Sequence, residues 1–191
     1  MKYSSQHVVG VAALALMLAG FPAFAQKTAR STGKPAASSP SRVVIQQIDT
    51  AALQGLIKRD SSRLLLVNFW ATWCDPCRDE FPDIVKIDTD FRSKGLDTIT
   101  ISLDDVAEIN TEVPKFLRAM KNTMPAYLLN ARDPEPAIKF IDANWSGGLP
   151  ATFLYNQKGE VVFKHFGRVE PKELRAAIEQ LVGSKQVAAG R

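Results

Sequence analysis

Apolar positions along this chain fall into short blocks that follow either the two-residue period of a strand or the 3.6-residue period of a helix. Strand patterns occur at residues 43–48, 63–69, 96–103, 126–129, 152–155 and 161–166. Helical patterns occur at about 50–58, from 77 with a bend at Pro82, at 113–121, at 136–141, and from 171 to a stop at Gly183. This order predicts an α/β fold with a central mixed sheet and helices on both faces.

The block at residues 63–69 is almost continuously apolar, which is typical of a central strand buried on both faces. Residues 156–159 between the last two strand patterns have the composition of a hairpin turn. The chain should therefore end in an antiparallel hairpin followed by one helix.

The first 25 residues have the pattern of a secretory signal peptide. An apolar run at 8–21 follows Lys2, and Ala23-Phe24-Ala25 is a cleavage site of the A-x-A type. The run is short for a membrane span, so we expect cleavage and a periplasmic or other extracytoplasmic protein. A retained N-terminal membrane anchor is the alternative.

Composition divides the rest of the chain. Residues 26–42, rich in Lys, Ser, Thr, Pro, Gly and Ala, predict a flexible linker; a folded domain is expected at 43–185 and a disordered tail at 186–191. Five of the 24 Lys and Arg precede Val43 and no acidic residue does, which leaves 19 basic against 20 acidic residues, a net charge of −1. The basic character of the whole chain therefore gives no reason to expect nucleic-acid binding.

The chain has two cysteines, Cys74 and Cys77, between the buried strand and a helical pattern. A cysteine at a helix N-terminus is stabilised as a thiolate by free N–H groups and the helix dipole. A structural zinc site needs four ligands, and a disulfide across two residues constrains the unfolded chain little. We therefore interpret the pair as redox-active and expect neither metal nor cofactor.

Two segments carry a family resemblance: NFWATWCDPCRDEFP at residues 68–82 and LPATF at 149–153. Together with the order of elements they resemble the thioredoxin superfamily, most closely its exported TlpA/ResA-type thiol–disulfide oxidoreductases. The resemblance covers about 43–182. It implies a thioredoxin-like fold with an inserted helix–strand unit between about 113 and 141.

The resemblance also implies roles for particular residues. Cys74 is the attacking thiol and Cys77 the resolving thiol of an exchange through a mixed disulfide. Pro150 is the cis-proline of the superfamily, and it holds Leu149 so that a partner strand can pair beside the cysteines. Trp73 and Pro76, with Leu149, are expected to contact the substrate.

Glu80 is the further catalytic candidate. Cytoplasmic thioredoxin has a buried Asp in the preceding strand, where this chain has Asn68, which has no titratable proton. TlpA/ResA-type proteins have a Glu at the position of Glu80, which suggests that it accepts the proton. The alternative is an exposed Glu that serves only the helix dipole.

Other residues near the motif have simpler expectations. The charge of Asp75 opposes thiolate formation and favours a reducing protein. Arg78 and Asp79 are expected to be solvated. Trp145 either lines the partner groove or packs in the core.

The resemblance leads us to expect an exported monomer that reduces protein disulfides, such as those of apocytochrome c or copper-site proteins, and is recharged by a membrane electron carrier. A general disulfide oxidase or isomerase, and a non-enzymatic partner-binding module, are the alternatives.

Overall fold

The computed structural model describes the backbone of residues 44–59 and 61–189, and the side chains in these ranges up to residue 182. The predicted signal peptide and linker lie outside the described residues. Within the described part, no helix combines the length and apolar character that crossing a membrane requires.

In these ranges six strands and five helices alternate as the sequence predicts, with end points that differ mostly by one or two residues. The strands are β1 (Ile45–Ile48), β2 (Leu64–Trp70), β3 (Leu96–Ser102), β4 (Ala126–Leu129), β5 (Ala151–Tyr155) and β6 (Val161–Phe166). The helices are α1 (Thr50–Ile57), α2 (Asp75–Phe91), α3 (Glu112–Ala119), α4 (Glu135–Ile141) and α5 (Pro171–Ala189). Short 3₁₀ turns at Arg92–Lys94 and Val106–Asn110 were not predicted.

The strands form one sheet in the order β1-β4-β3-β2-β5-β6. The first four are parallel neighbours, whereas β5 is antiparallel to β2 and β6 is antiparallel to β5. Strand β4, from the expected insertion, lies between β1 and β3. The predicted mixed sheet with helices on both faces is confirmed.

Strand β2 lies at the centre of the sheet, and all seven of its residues are buried. Leu66 and Trp70 belong to the core beneath α2, α3 and α5, while Val67 and Phe69 belong to the core beneath α1 and α4. Because alternate side chains enter two different cores, every position must be apolar or internally bonded. The carboxyl end of β2 is therefore held rigidly, and the cysteine motif follows it directly.

Helix α2 begins at Asp75 and has Cys74 as its N-cap. Its buried face includes Phe81, Ile84 and Phe91, which pack into the core on this side of the sheet. The helix continues through Pro82, which removes one N–H donor from an otherwise well-packed helix.

Helix α5 corrects one prediction. It begins at Pro171 as expected but continues through Gly183 to Ala189, so the prediction that Gly183 ends it is wrong. Glycine inside a helix costs only about 1 kcal/mol relative to alanine, so a single glycine does not by itself end a helix. The predicted tail at 186–191 thus starts within helical backbone, and residues 190–191 lie outside the described part.

Candidate active site

Cys74 and Cys77 form a disulfide at the N-terminus of α2, with their Cα atoms 5.3 Å apart. Cys74 is 5% exposed and Cys77 only 1%. The backbone N–H of Cys77 donates to the Cys74 sulfur over 3.2 Å. The sulfur of Cys74 thus lies where helix N–H groups and the helix dipole favour negative charge.

The loop between β2 and α2 is fixed by a buried carboxylate, Asp104. It accepts hydrogen bonds from the N–H of Thr72 at 3.0 Å, the hydroxyl of Thr72 at 2.6 Å and the hydroxyl of Ser102 at 2.6 Å. Sequence reasoning missed this residue. Its position two residues after β3 was the signal in the sequence that could have identified it. Strands β2 and β3 are parallel and Ser102 pairs with Trp70, so the carboxyl ends of both strands lie at the same edge of the sheet.

The Leu149–Pro150 peptide bond is cis, so this expectation is confirmed. The antiparallel register pairs Ala151 with Phe69, which places the cis bond at the carboxyl end of β2 and hence at the sheet edge that carries Cys74. Pro150 is buried and Leu149 half-buried. The carbonyl of Pro150 accepts a hydrogen bond from the N–H of Gly167 at 2.8 Å.

Trp145 packs in the core, so the alternative that it lines a partner groove is wrong. It is 2% exposed, and its ring centroid lies 4.7 Å from that of Phe69 and 5.7 Å from that of Phe153. Its indole N–H donates to the carbonyl of Gly148 over 2.8 Å. Trp145 therefore anchors the loop that leads into the cis peptide.

Glu80 is buried beneath α2, with 1% of its surface exposed, so the exposed-Glu alternative is wrong. One carboxyl oxygen accepts from the Asn68 side-chain amide at 2.7 Å, and the other accepts from the N–H of Val169 at 2.7 Å. The hydroxyl of Thr152 lies 3.5 Å from the first oxygen. The residue that replaces the thioredoxin Asp thus contacts Glu80 directly.

Burial raises the pKa of Glu80 to about 7, since desolvation disfavours its charged form. The hydrogen bonds from Val169, Asn68 and Thr152, and the charge of Arg168, lower the pKa but do not cancel the effect of burial. Glu80 is three residues after Cys77, so both side chains lie on the same face of the helix. The site therefore has an acid–base group that changes protonation near neutral pH.

Trp73, Asp75 and Pro76 form the exposed rim of the site, and the side chain of Trp73 is 68% exposed. Arg78 is also exposed, as expected, but its guanidinium has a defined position. It donates to the carbonyl of Thr72 over 2.8 Å. The disulfide is thus buried, whereas the residues next to it in the chain, Trp73, Asp75 and Pro76, are exposed.

A model of the AhpC/TSA family matches residues 40–164 of the chain. The thiol-disulfide oxidoreductase ResA of Bacillus subtilis is 33% identical over 98 residues, which are 51% of this chain and 50% of that protein. The thiol-disulfide oxidoreductase ResA of Bacillus cereus is 25% identical over 158 residues, 83% of each chain. The chain thus matches about half the length of the first relative and most of the second.

Among solved structures, the thioredoxin-related protein from Neisseria meningitidis serogroup B is similar with a TM-score of 0.55 and 28% identity. The likeness covers 65% of this chain and 87% of that one. The expected thioredoxin-like fold is confirmed by this likeness together with the observed sheet.

Proposed function

We propose that this chain, which belongs to the AhpC/TSA family, is a protein thiol–disulfide oxidoreductase that reduces disulfides of partner proteins. The observation that carries the proposal is the Cys74–Cys77 disulfide at the N-terminus of α2, with the buried Glu80 three residues after Cys77 on the same helix. The named relatives are thiol-disulfide oxidoreductases, which supports the same reaction class.

The reaction passes two electrons to the partner. In the reduced protein, the thiolate of Cys74 attacks one sulfur of the partner disulfide, and the other partner sulfur leaves as a thiolate that takes up a proton. The thiol of Cys77 then loses its proton and attacks the Cys74 sulfur. The partner's second thiolate departs, and the Cys74–Cys77 disulfide remains.

Glu80 is the proposed acceptor of the proton that Cys77 loses. Its burial excludes bulk water from its carboxyl group, and its place on the same helix face as Cys77 supports a short transfer. A pKa of about 7 allows Glu80 to take up a proton and release it near neutral pH. Asn68 and Val169 hold the carboxyl group in position through their hydrogen bonds.

The partner is proposed to bind across the open side of the site. Leu149 forms the cis peptide with Pro150 at the sheet edge of Cys74, and an extended partner segment is proposed to pair with its backbone there. Trp73 and Pro76 are exposed next to the cysteines in the chain and are proposed to supply apolar contact area.

Reduction is the proposed direction, because Asp75 places a negative charge next to Cys74 and so disfavours the thiolate-rich state of a strong oxidant. A membrane electron carrier is the proposed source of electrons, and apocytochrome c or copper-site proteins are the proposed substrates. The protein is further proposed to be an exported monomer, with residues 1–25 as a cleaved signal peptide.

Partner trapping tests the proposal. In Cys77→Ala the mixed disulfide on Cys74 is not resolved, so partners should remain covalently bound until a reductant is added. Cys74→Ala is the matched control and should retain none. Insulin reduction by the parent, followed by turbidity, is the second measurement. Two results together would support the non-enzymatic alternative instead. A variant that lacks both cysteines would still capture partners, and the parent would not reduce insulin.

A further inference from the structure

A cavity of about 260 Å³ opens beside the cysteine motif, between the loop after β2 and helix α3. Thr72, Trp73 and Arg78 line one side of this cavity. Glu112, Lys115, Phe116 and Ala119 line the other side. Trp73 precedes Cys74 in the chain, so a partner residue that is close to the partner's own cysteine can reach the cavity while the mixed disulfide forms.

The guanidinium of Arg78 lies at the wall of this cavity and is fixed by two contacts. Its guanidinium carbon lies 5.2 Å from the centroid of the Phe116 ring, and one of its N–H groups donates to the carbonyl of Thr72. None of the ion pairs among the described residues includes Arg78. A guanidinium has five N–H donors in a planar fork, and such a fork matches a carboxylate.

The remaining charges of the cavity favour an anion. Lys115 and Glu112 lie 3.1 Å apart as an ion pair, so their charges offset each other and Arg78 leaves a net charge of one positive unit. Asp75 and Asp79, the two exposed acidic residues of the motif, are not among the lining residues. Trp73, largely exposed, adds an apolar wall against which the stem of a ligand side chain can pack.

We propose that this cavity binds an acidic side chain of the partner protein, a few residues from the partner's target cysteine, with Arg78 as the carboxylate receptor. The inference rests on the proposed function and specifies its substrate class. Exposed charge pairs are weak, so the effect is a preference among substrates rather than an absolute requirement. We expect kcat/KM to be roughly fivefold higher for a substrate with Glu than for the same substrate with Gln. This lies at the upper end for an exposed charge pair, because the guanidinium is planar and already held in position.

Peptide substrates test the preference. Each peptide carries one intermolecular disulfide and has Glu, Gln or Lys at the second or third residue on either side of the cysteine. The reduced parent should show the highest kcat/KM for a Glu peptide at one of these positions and the lowest for the Lys peptide. The preference should shrink as ionic strength rises, because salt screens exposed charges. Equal kcat/KM values for the Glu and Gln peptides at all positions would overturn the inference.

Variants on α3 change the cavity without altering the cysteine loop. Lys115→Gln removes a positive charge and should reduce the Glu preference, whereas Glu112→Gln removes a negative charge and should increase it. The matched controls are Lys139→Gln and Glu135→Gln, from the ion pair on α4 on the opposite face of the sheet, and they should change nothing. Identical preferences in all four variants would contradict the proposed site.

Arg78→Gln should abolish the preference, so that this variant has the same kcat/KM for the Glu and Gln peptides. An equal loss on every peptide would refute a receptor role, because Arg78 would then act only by holding the loop at Thr72.

A redox-inert test separates docking from catalysis. Peptides with Ser in place of Cys are titrated into the oxidised, ¹⁵N-labelled protein. The Arg78 Nε–H resonance should shift with the Glu peptide and stay unchanged with the Gln peptide. Absence of that shift would overturn the docking site even if the protein reduces insulin. A shift without any insulin reduction would support the site and contradict the proposed function.

Discussion

Replacing Glu80 by Gln removes a titrating group while the size of the side chain is almost unchanged. The pKa of Glu80 rises from 4.5 to about 7 on folding because the carboxyl group is buried. Between these two pH values the folded protein holds a proton that the unfolded chain has released. The contribution of Glu80 to the free energy of unfolding is therefore largest below pH 4.5, falls as the pH rises towards 7, and stays at its lower value above that.

The size of this loss follows from the shift. One pKa unit corresponds to about 1.36 kcal/mol, so a rise from 4.5 to about 7 gives a loss of about 3 kcal/mol in the free energy of unfolding. Gln does not titrate, so Glu80→Gln should lack this pH dependence. Gln has only one acceptor oxygen for the two donors, Asn68 and Val169, so the variant should be about 1–3 kcal/mol less stable than the parent with Glu80 protonated, and its own stability should not follow the titration of this position.

Urea unfolding of the oxidised proteins between about pH 4 and about 8.5 measures both effects, since neither cysteine titrates in the disulfide. The variant should be less stable than the parent at the acidic end, and the difference should vanish or reverse near about pH 8. Insulin reduction by the parent should show an inflection near pH 7, where Glu80 titrates, and reduction by the variant should be slower and lack this inflection.

Asp79→Asn is the matched control, because Asp79 is one residue away and exposed. Its stability should stay within about 0.5 kcal/mol of the parent at every pH. The reasoning fails if the parent and Glu80→Gln keep a constant stability difference across this range. If Glu80→Gln also reduces insulin as fast as the parent, then the proton leaves Cys77 through water.

Three further predictions use other parts of the chain. Asp104→Asn should cost about 1–3 kcal/mol in urea unfolding and slow insulin reduction, because one amide oxygen replaces two carboxylate oxygens that hold the loop at Thr72. Equilibration with glutathione should give the Cys74–Cys77 pair a redox potential on the reducing side of the thioredoxin-like range. Asp75→His should raise this potential, and an unchanged potential would show that the charge of Asp75 has no such role. Mass spectrometry of the exported protein should find a chain that starts near Gln26, whereas a retained Met1 in the membrane fraction would favour the anchor.

Local sequence was sufficient to predict the six strands and five helices of the described residues and the central motif, but not the two short 3₁₀ turns. The run that forms β2 is apolar at almost every position because both of its faces are covered, and this pattern is visible without any contact being known. Cys74 and Cys77 follow that strand at a helix start, so the redox pair and its N-capping geometry were predictable from spacing. Gly183 shows the limit of local rules, because the helix continues through it.

Tertiary structure decided how the site is supported. Asp104 holds the cysteine loop and Trp145 anchors the loop before Pro150, and neither role can be read from neighbours in the chain. Glu80 was a candidate from its position, but its burial and its hydrogen bond to Val169, 89 residues away, depend on how α5 and β5 pack against α2. Periodicity in the sequence specifies which face of an element is buried, whereas the sheet order and the packing of distant segments determine what each buried polar group meets.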